Sequence, residues 1–190
     1  GKTIQAILQA ETNENEWPRE KSLTRLCEHI VERYHKPEKQ LFYEINDLLS
    51  ECLGSLGEHI LFLEGFQKLF KIFKKECLIH YREEEKDLFP LLIDADPYRS
   101  ANIDVPTTSF GTLSRPIMDM EVEHAYVSST VEKMAEFSDN LTYASKSYPK
   151  LDKLYTLLRS LIYSMRRHVH FENHILLPAA LKVEQLLTRF

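Results

Sequence analysis

The stretch that decides the fold is RRHVHFENHILLPAAL, residues 166–181, which repeats in outline the stretch HYREEEKDLFP at residues 80–90. Both contain the pattern H-x3-E-x3-L-[FL]-P, in which a histidine precedes a glutamate by four residues. Residues at i and i+4 lie on the same face of an α-helix, roughly 6 Å apart along the axis. Each stretch therefore predicts a helix that directs one imidazole and one carboxylate towards the same point.

These two stretches belong to a longer internal repeat. Each is preceded by another helical segment with its own histidine, His35 in IVERYH and His124 in MEVEH. These histidines lie 45 and 44 residues before His80 and His168. The repeat predicts that four imidazoles and two carboxylates meet in one helical core.

Apolar residues at steps of three and four predict an all-α fold, an up-down four-helix bundle. The first helix is expected to begin at its Ser22 cap, to kink at Pro37 and to end near Gly54 or Gly57. The second helix carries the first of the two stretches and is expected to end at Pro90.

A long connection is predicted at residues 94–115, where prolines and small polar residues follow no period. The third helix is expected from Pro116 to about Asn140, and the fourth carries an apolar stripe from Leu151 to Glu172. Residues 22–190 are expected to form the bundle, and residues 1–21 a short N-terminal extension.

Composition excludes several classes of protein. With 190 residues, of which 43% are hydrophobic, the chain suits one domain with a sizeable core. The net charge of -5 and the lack of a basic stripe argue against nucleic-acid binding. No apolar run is long enough to cross a membrane. We therefore expect a soluble cytoplasmic protein whose three cysteines, Cys27, Cys52 and Cys77, are reduced core residues.

The clustered histidines and glutamates favour a metal site over ordinary core residues. Leaving these groups unpaired in a helical core would cost several kcal/mol per charged group. Two metals suit the ligand count, because each glutamate has two oxygens and can bridge a pair of ions. Ligands without thiolate favour iron or manganese, and we expect iron, although zinc and copper remain open.

Other polar residues near the repeat fall outside its register. Glu83 and Glu85, which flank Glu84, are expected to be solvated. Four further histidines are expected at the surface or beside the ligands: His29, His59, His170 and His174.

Over residues 22–181, HIVERYH, HYREEEKDLFP, RPIMDMEVEH and RRHVHFENHILLPAAL resemble the hemerythrin-like di-iron proteins of the repair-of-iron-centres family. The resemblance implies a hemerythrin-like bundle holding two iron ions in a non-haem centre with carboxylate and oxo bridges. The ligands that it implies are His35, His80, Glu84, His124, His168 and Glu172.

The resemblance also implies the repair of iron–sulfur clusters damaged by nitric oxide or oxidative stress, with iron donation as the mechanism. Apo or damaged iron–sulfur proteins would then be the partners, and a homodimer is compatible with this role. The alternative is a di-iron protein that binds or reduces nitric oxide, dioxygen or peroxide, with activity of the nitric oxide reductase type. Two histidines in each half favour repair, because oxygen carriers of the hemerythrin type use more histidines on their last two helices.

Three departures from the family pattern stand out. Residues 1–21 lack the Cys-Cys pair of the family's small N-terminal domain and are expected to be the remnant or linker of a missing domain. Leu56 stands near a position where the family often has a further histidine, with His59 three residues later. Ala125 replaces a residue that is commonly acidic.

Iron donation requires ligands that detach one at a time, and a carboxylate can change from bridging to terminal binding. Glu84 and Glu172 lie one to two turns before the prolines that are expected to end their helices, where backbone opening costs less. These two carboxylates are therefore the expected hinges of iron release.

Overall fold

A computed structural model describes residues 22–56, 62–101, 114–145 and 148–187, and these residues form four long helices. The expectations for residues 1–21 and for His59 lie outside these described residues. The α-helical parts are Leu23–Ile30 and Lys36–Leu56 in the first helix, Phe62–Glu83 and Phe89–Ala101 in the second, Ser114–Ser145 in the third, and Pro149–Phe171 and Leu177–Leu187 in the fourth.

Three of the four helices are interrupted by a π-helical segment, a wider turn with one extra residue. The segments are Val31–His35, Glu84–Leu88 and Glu172–Leu176. Directly after each segment, a backbone N–H donates to the carbonyl five residues earlier. The residue that follows this donor is a proline in all three helices: Pro37, Pro90 and Pro178.

The prediction that the second helix ends at Pro90 is wrong, because this helix continues to Ala101. Inside an α-helix a proline lacks the N–H of a regular bond, and its ring clashes with the carbonyl four residues earlier. A π-helical turn relieves both problems, because its N–H groups bond five residues back. The irregularity expected at Pro37 takes the same form, and residues 94–101 are helical rather than part of the connection.

The remaining predicted bounds are close to those observed. The first helix runs through Gly54 and is described as far as Leu56, and Gly57 lies outside the described residues. The third helix begins at Ser114 and continues to Ser145, past the expected end at Asn140. Pro149 occupies the first turn of the fourth helix, where its missing N–H has no partner to lose.

The helices pack as an up-down bundle. The first helix lies against the second and the fourth, the third packs along the fourth, and the second and third have the least contact among neighbouring helices. The start of the first helix packs against the far ends of the second and fourth, so neighbouring helices run antiparallel. The all-α prediction is confirmed, and none of the described helices combines the length and the apolarity needed to cross a bilayer.

The core is divided into two apolar clusters, with a polar layer between them. The cluster at the helix ends contains Leu26, Ile30, Phe89, Leu92 and Leu177, among others. The cluster in the body of the bundle contains many more side chains, including Phe42, Phe70, Phe73, Leu154 and Leu161. All three cysteines are buried and free, as expected.

Asp96 ties the start of the first helix to the end of the second. Its carboxylate accepts hydrogen bonds from the Leu23 N–H at 2.8 Å, from the Ser22 hydroxyl at 2.5 Å and from the Thr24 hydroxyl at 2.9 Å. Burial alone would raise the pKa of Asp96, but these hydrogen bonds together hold it below its ordinary value.

Candidate metal centre

The six residues predicted from the repeat lie together in the polar layer. All are buried, and His80, the most exposed of them, is only 7% exposed. His35 ends the π-helical segment of the first helix, whereas Glu84 and Glu172 begin those of the second and fourth helices. His124 lies on the uninterrupted third helix.

These side chains form two groups of four donors that share both glutamates. His35 and His168 join Glu84 and Glu172 in the first group, here called position 1. His80 and His124 join the same two glutamates in the second group, called position 2. Each position therefore combines one histidine from each half of the repeat.

Each glutamate directs its two oxygens towards two different imidazoles. In Glu84, Oε2 lies 3.2 Å from Nε2 of His35, and Oε1 lies 3.3 Å from Nε2 of His80. In Glu172, Oε1 lies 3.1 Å from Nε2 of His168, and Oε2 lies 3.1 Å from Nε2 of His124. The arrangement allows each carboxylate to bridge the two positions.

The donor atoms are left without hydrogen bonds. Both oxygens of Glu84 and of Glu172 are buried and lack a hydrogen-bond partner, as does Nε2 of His35, His124 and His168. Such groups are costly in a protein interior unless something else satisfies them. A cation at each position would satisfy them all.

The dimensions fit metal ions. Within each position the donor atoms lie no more than 4.8 Å from one another. Bonds of about 2.1 Å from nitrogen or oxygen to a metal place opposite donors about 4.2 Å apart. Two imidazoles and two carboxylate oxygens, without thiolate, suit a first-row transition metal.

Each of the four histidines in the two positions contacts a further acceptor through its other ring nitrogen, Nδ1. Metal-binding histidines typically donate this N–H to such a partner, which fixes the ring and strengthens the ligand. The partners are Glu85 for His35 at 2.7 Å, Glu123 for His80 at 2.5 Å, Asn173 for His124 at 2.7 Å and Glu38 for His168 at 3.1 Å.

Glu38 was not identified from the sequence, although it is fully buried. Besides His168, it accepts hydrogen bonds from the hydroxyls of Tyr81 and Ser164, the latter at 2.6 Å. Its position three residues after His35, on the same helical face, is the one signal that could have indicated it.

The expectation that Glu85 is solvated holds only in part, because its side chain is partly exposed but its carboxylate contacts His35 and accepts a hydrogen bond from Lys39 at 2.7 Å. Glu83 is exposed as expected. Among the other histidines, His29 and His170 are partly buried and His174 is exposed, in line with their place outside the ligand register.

Burial and neighbouring charges shift the pKa values of the candidate ligands in the polar layer. Burial and the charge of Glu172 raise the pKa of the Glu84 carboxyl well above its ordinary value. Burial also lowers the pKa of His35 to about 3. For Glu172, burial would raise the pKa of the carboxyl, but the nearby charges of His168 and His124 hold it well below its usual range. A bound cation would favour ionised carboxylates and neutral imidazoles throughout.

Comparison of the sequence with known proteins identifies a family and several named relatives. Residues 27–180 match the family model described as the hemerythrin HHE cation binding domain. Relatives from Yersinia pseudotuberculosis serotype IB and Yersinia pestis strain Pestoides F are both named iron-sulfur cluster repair protein YtfE. Each is 26% identical over 180 residues, which span 94% of this chain and 75% of the relative.

Proposed function

Because this chain belongs to the hemerythrin HHE cation-binding family, we propose that it holds two iron ions and donates iron to stress-damaged iron–sulfur clusters in the cytoplasm. The observation that carries the proposal is the pair of buried donor groups that share Glu84 and Glu172. The relatives named for iron–sulfur cluster repair support the same role.

Six side chains would hold the ions, one ion at each position, with both glutamates as bridges. When bound, the pair supplies a redox-active store of iron. The chain's own residues orient the imidazoles, since each Nδ1 contact leaves Nε2 directed at the shared glutamates. The three carboxylates among these Nδ1 partners would also hold the proton on Nδ1 and keep Nε2 available as a ligand.

Release of iron is proposed to start at a carboxylate. The expectation that Glu84 and Glu172 lie near helix ends is wrong, since both helices continue past their prolines, to Ala101 and Leu187. Detachment of one carboxylate oxygen from its ion, rather than opening of a helix end, is therefore the proposed first step.

Iron stoichiometry and transfer test this function. After anaerobic reconstitution, the protein should bind two irons per chain. Incubated in the ferrous form with an apo iron–sulfur acceptor, it should restore the acceptor's cluster absorption as it loses iron. A stoichiometry well below two, or a preference for zinc, would contradict the proposal. Iron that stays bound while nitric oxide is consumed catalytically would support the gas-handling alternative instead.

Substitution of the bridging residues provides the matched comparison. Glu84→Leu and Glu172→Leu should each abolish the absorption of the iron pair while the far-ultraviolet circular dichroism stays helical. Glu136→Leu makes the same chemical change at an exposed position of the third helix and should leave two irons bound. Equal iron content in all three variants would exclude the bridging role.

A further inference from the structure

We propose that the two metal positions differ in their rate of release: the ion at position 2 leaves first, through a groove between the second and third helices, and the ion at position 1 leaves more slowly. This inference rests on the proposed di-iron function and assigns donation to one side of the centre.

The groove borders position 2 through His80, which belongs to that position alone. A cavity of about 170 Å³ between the second and third helices is lined by His80 and Glu84. Glu84 is 2% exposed, and neither of its oxygens has a hydrogen-bond partner. An adjoining cavity of about 390 Å³ is also lined by His80. Since one water takes up about 30 Å³ of liquid, both cavities have room for several waters, and neither is lined by His35 or His168.

The groove is lined by carboxylates from its mouth to the ligands. Glu83 and Asp87 on the second helix and Asp119 and Glu123 on the third line the smaller cavity together with Glu84. A cleft lined by one sign of charge concentrates counter-ions. These oxygens therefore form a path for a cation between solvent and position 2.

Position 1 is enclosed by aromatic rings. The His35 ring stacks on Tyr81, with 4.3 Å between the centroids, and has Phe89 5.8 Å away on a nearly parallel plane. The His168 ring stacks on Tyr34 at 4.9 Å. Both histidines are at most 2% exposed. Water and chelators consequently have less access to these ligands than to His80.

The residues that contact Nδ1 of the histidines, here called the outer partners, also favour faster release from position 2. At position 1, His35 contacts the carboxylate of Glu85, and His168 contacts the fully buried carboxylate of Glu38. At position 2, His80 also contacts a carboxylate, that of Glu123, but His124 contacts only the neutral amide oxygen of Asn173 through Nδ1. A neutral acceptor strengthens a histidine ligand less than a carboxylate does.

Chelation kinetics test the proposal. Ferrous-loaded protein, mixed anaerobically with excess chromogenic ferrous chelator, should release iron in two phases of equal amplitude. The fast phase corresponds to position 2 and the slow phase to position 1. Release of both irons in a single phase would overturn the inequality of the positions.

Two single substitutions assign the phases. Asn173→Asp places a carboxylate behind His124 and should slow the fast phase about tenfold, the lower end of the effect expected for outer partners. Glu85→Gln removes the carboxylate behind His35 and should accelerate the slow phase by a similar factor. The assignment is overturned if Asn173→Asp changes only the slow phase, or if Glu85→Gln changes only the fast one.

A second pair of variants tests whether the ion at position 2 leaves through the groove. The double variant Glu83→Gln/Asp119→Asn neutralises part of the groove and should slow the fast phase several-fold. Its control, Glu136→Gln/Asp152→Asn, neutralises two exposed carboxylates outside the groove and should change neither phase. Equal effects of the two double variants would overturn the route. Two release phases without transfer to an apo iron–sulfur acceptor would leave this inference standing and refute the proposed donation.

Discussion

The two halves of the repeat carry the same types of candidate ligand but support them differently. In the first half both histidines contact carboxylates, Glu85 behind His35 and Glu123 behind His80. In the second half His124 contacts an amide, and His168 contacts Glu38, which belongs to the first half. A metal position constrains its direct ligands tightly, whereas Nδ1 needs only an acceptor at the right distance. The outer partners could therefore diverge where the ligands did not.

One pair of outer partners, Glu85 and Asn173, occupies equivalent positions in the two halves. The residue directly after each shared glutamate, Glu85 or Asn173, contacts the histidine contributed by the preceding helix of the same half. The position therefore has the same geometric role in both halves but carries a charge only in the first. This difference is the basis of the unequal release proposed above.

Removing the metal should have the largest effect, because it deprives both halves of the ion that their ligands share. An ion bound only by the native state contributes about 2.7 kcal/mol at a concentration 100 times its Kd. Two ions should raise the melting temperature by at least about 10 °C for a chain of this length. Calorimetry of the apo and reconstituted forms in matched buffer tests this, and identical curves would indicate ordinary core polar groups.

Loss of Glu38 should be the most damaging single change among the outer partners. Glu38→Ala leaves the Tyr81 and Ser164 hydroxyls and His168 without their buried acceptor, which should cost about 3–5 kcal/mol. Asn173→Ala removes one neutral acceptor and should cost only about 1–3 kcal/mol. Urea unfolding of the apo-proteins measures the loss of unfolding free energy in both variants. A larger loss in Asn173→Ala than in Glu38→Ala would contradict the role given to Glu38 as a shared buried acceptor.

The anchor at Asp96 should have a smaller, pH-dependent effect. Asp96→Asn weakens the cap of the first helix and should cost about 1 kcal/mol at pH 7. The pKa of Asp96 in the folded protein lies below its ordinary value of 3.8. The stabilisation by the Asp96 carboxylate is therefore fully present above pH 3.8 and is lost as the pH falls through the folded pKa. Unfolding of apo wild type and variant should therefore converge in acid, and a constant difference down to about pH 2 would exclude this linkage.

The smallest effect is expected at His174, an exposed residue whose first-half equivalent is Lys86. His174→Ala should change the free energy of unfolding by less than about 0.5 kcal/mol, because its contacts with the backbone and ring of His170 lie within one helix at an exposed site. Two irons should still bind. Loss of one iron in this variant, measured by elemental analysis, would place His174 among the ligands.

Much of this organisation could be predicted from local patterns. The apolar stripe with Phe66, Phe70, Phe73 and Cys77 is buried as predicted, and so are His80 and Glu84 further along it. Spacing of three and four residues acts within one helix, so it can be recognised without knowing what the helix packs against. The prediction of a helix end at Pro90 was wrong because the π-helical segment before this proline lets the helix continue, and such a segment has no periodic signal of its own in the sequence.

The sequence by itself determined the four-helix bundle and the set of six candidate ligands, because both follow from the helical repeat and its duplication. Only the tertiary structure decided which histidines share a position, since His35 and His168 come from different halves and meet through packing. It also decided that Glu38, 130 residues before His168, supports that histidine. Contacts between residues so far apart depend on how the helices are oriented against each other, which no local pattern encodes.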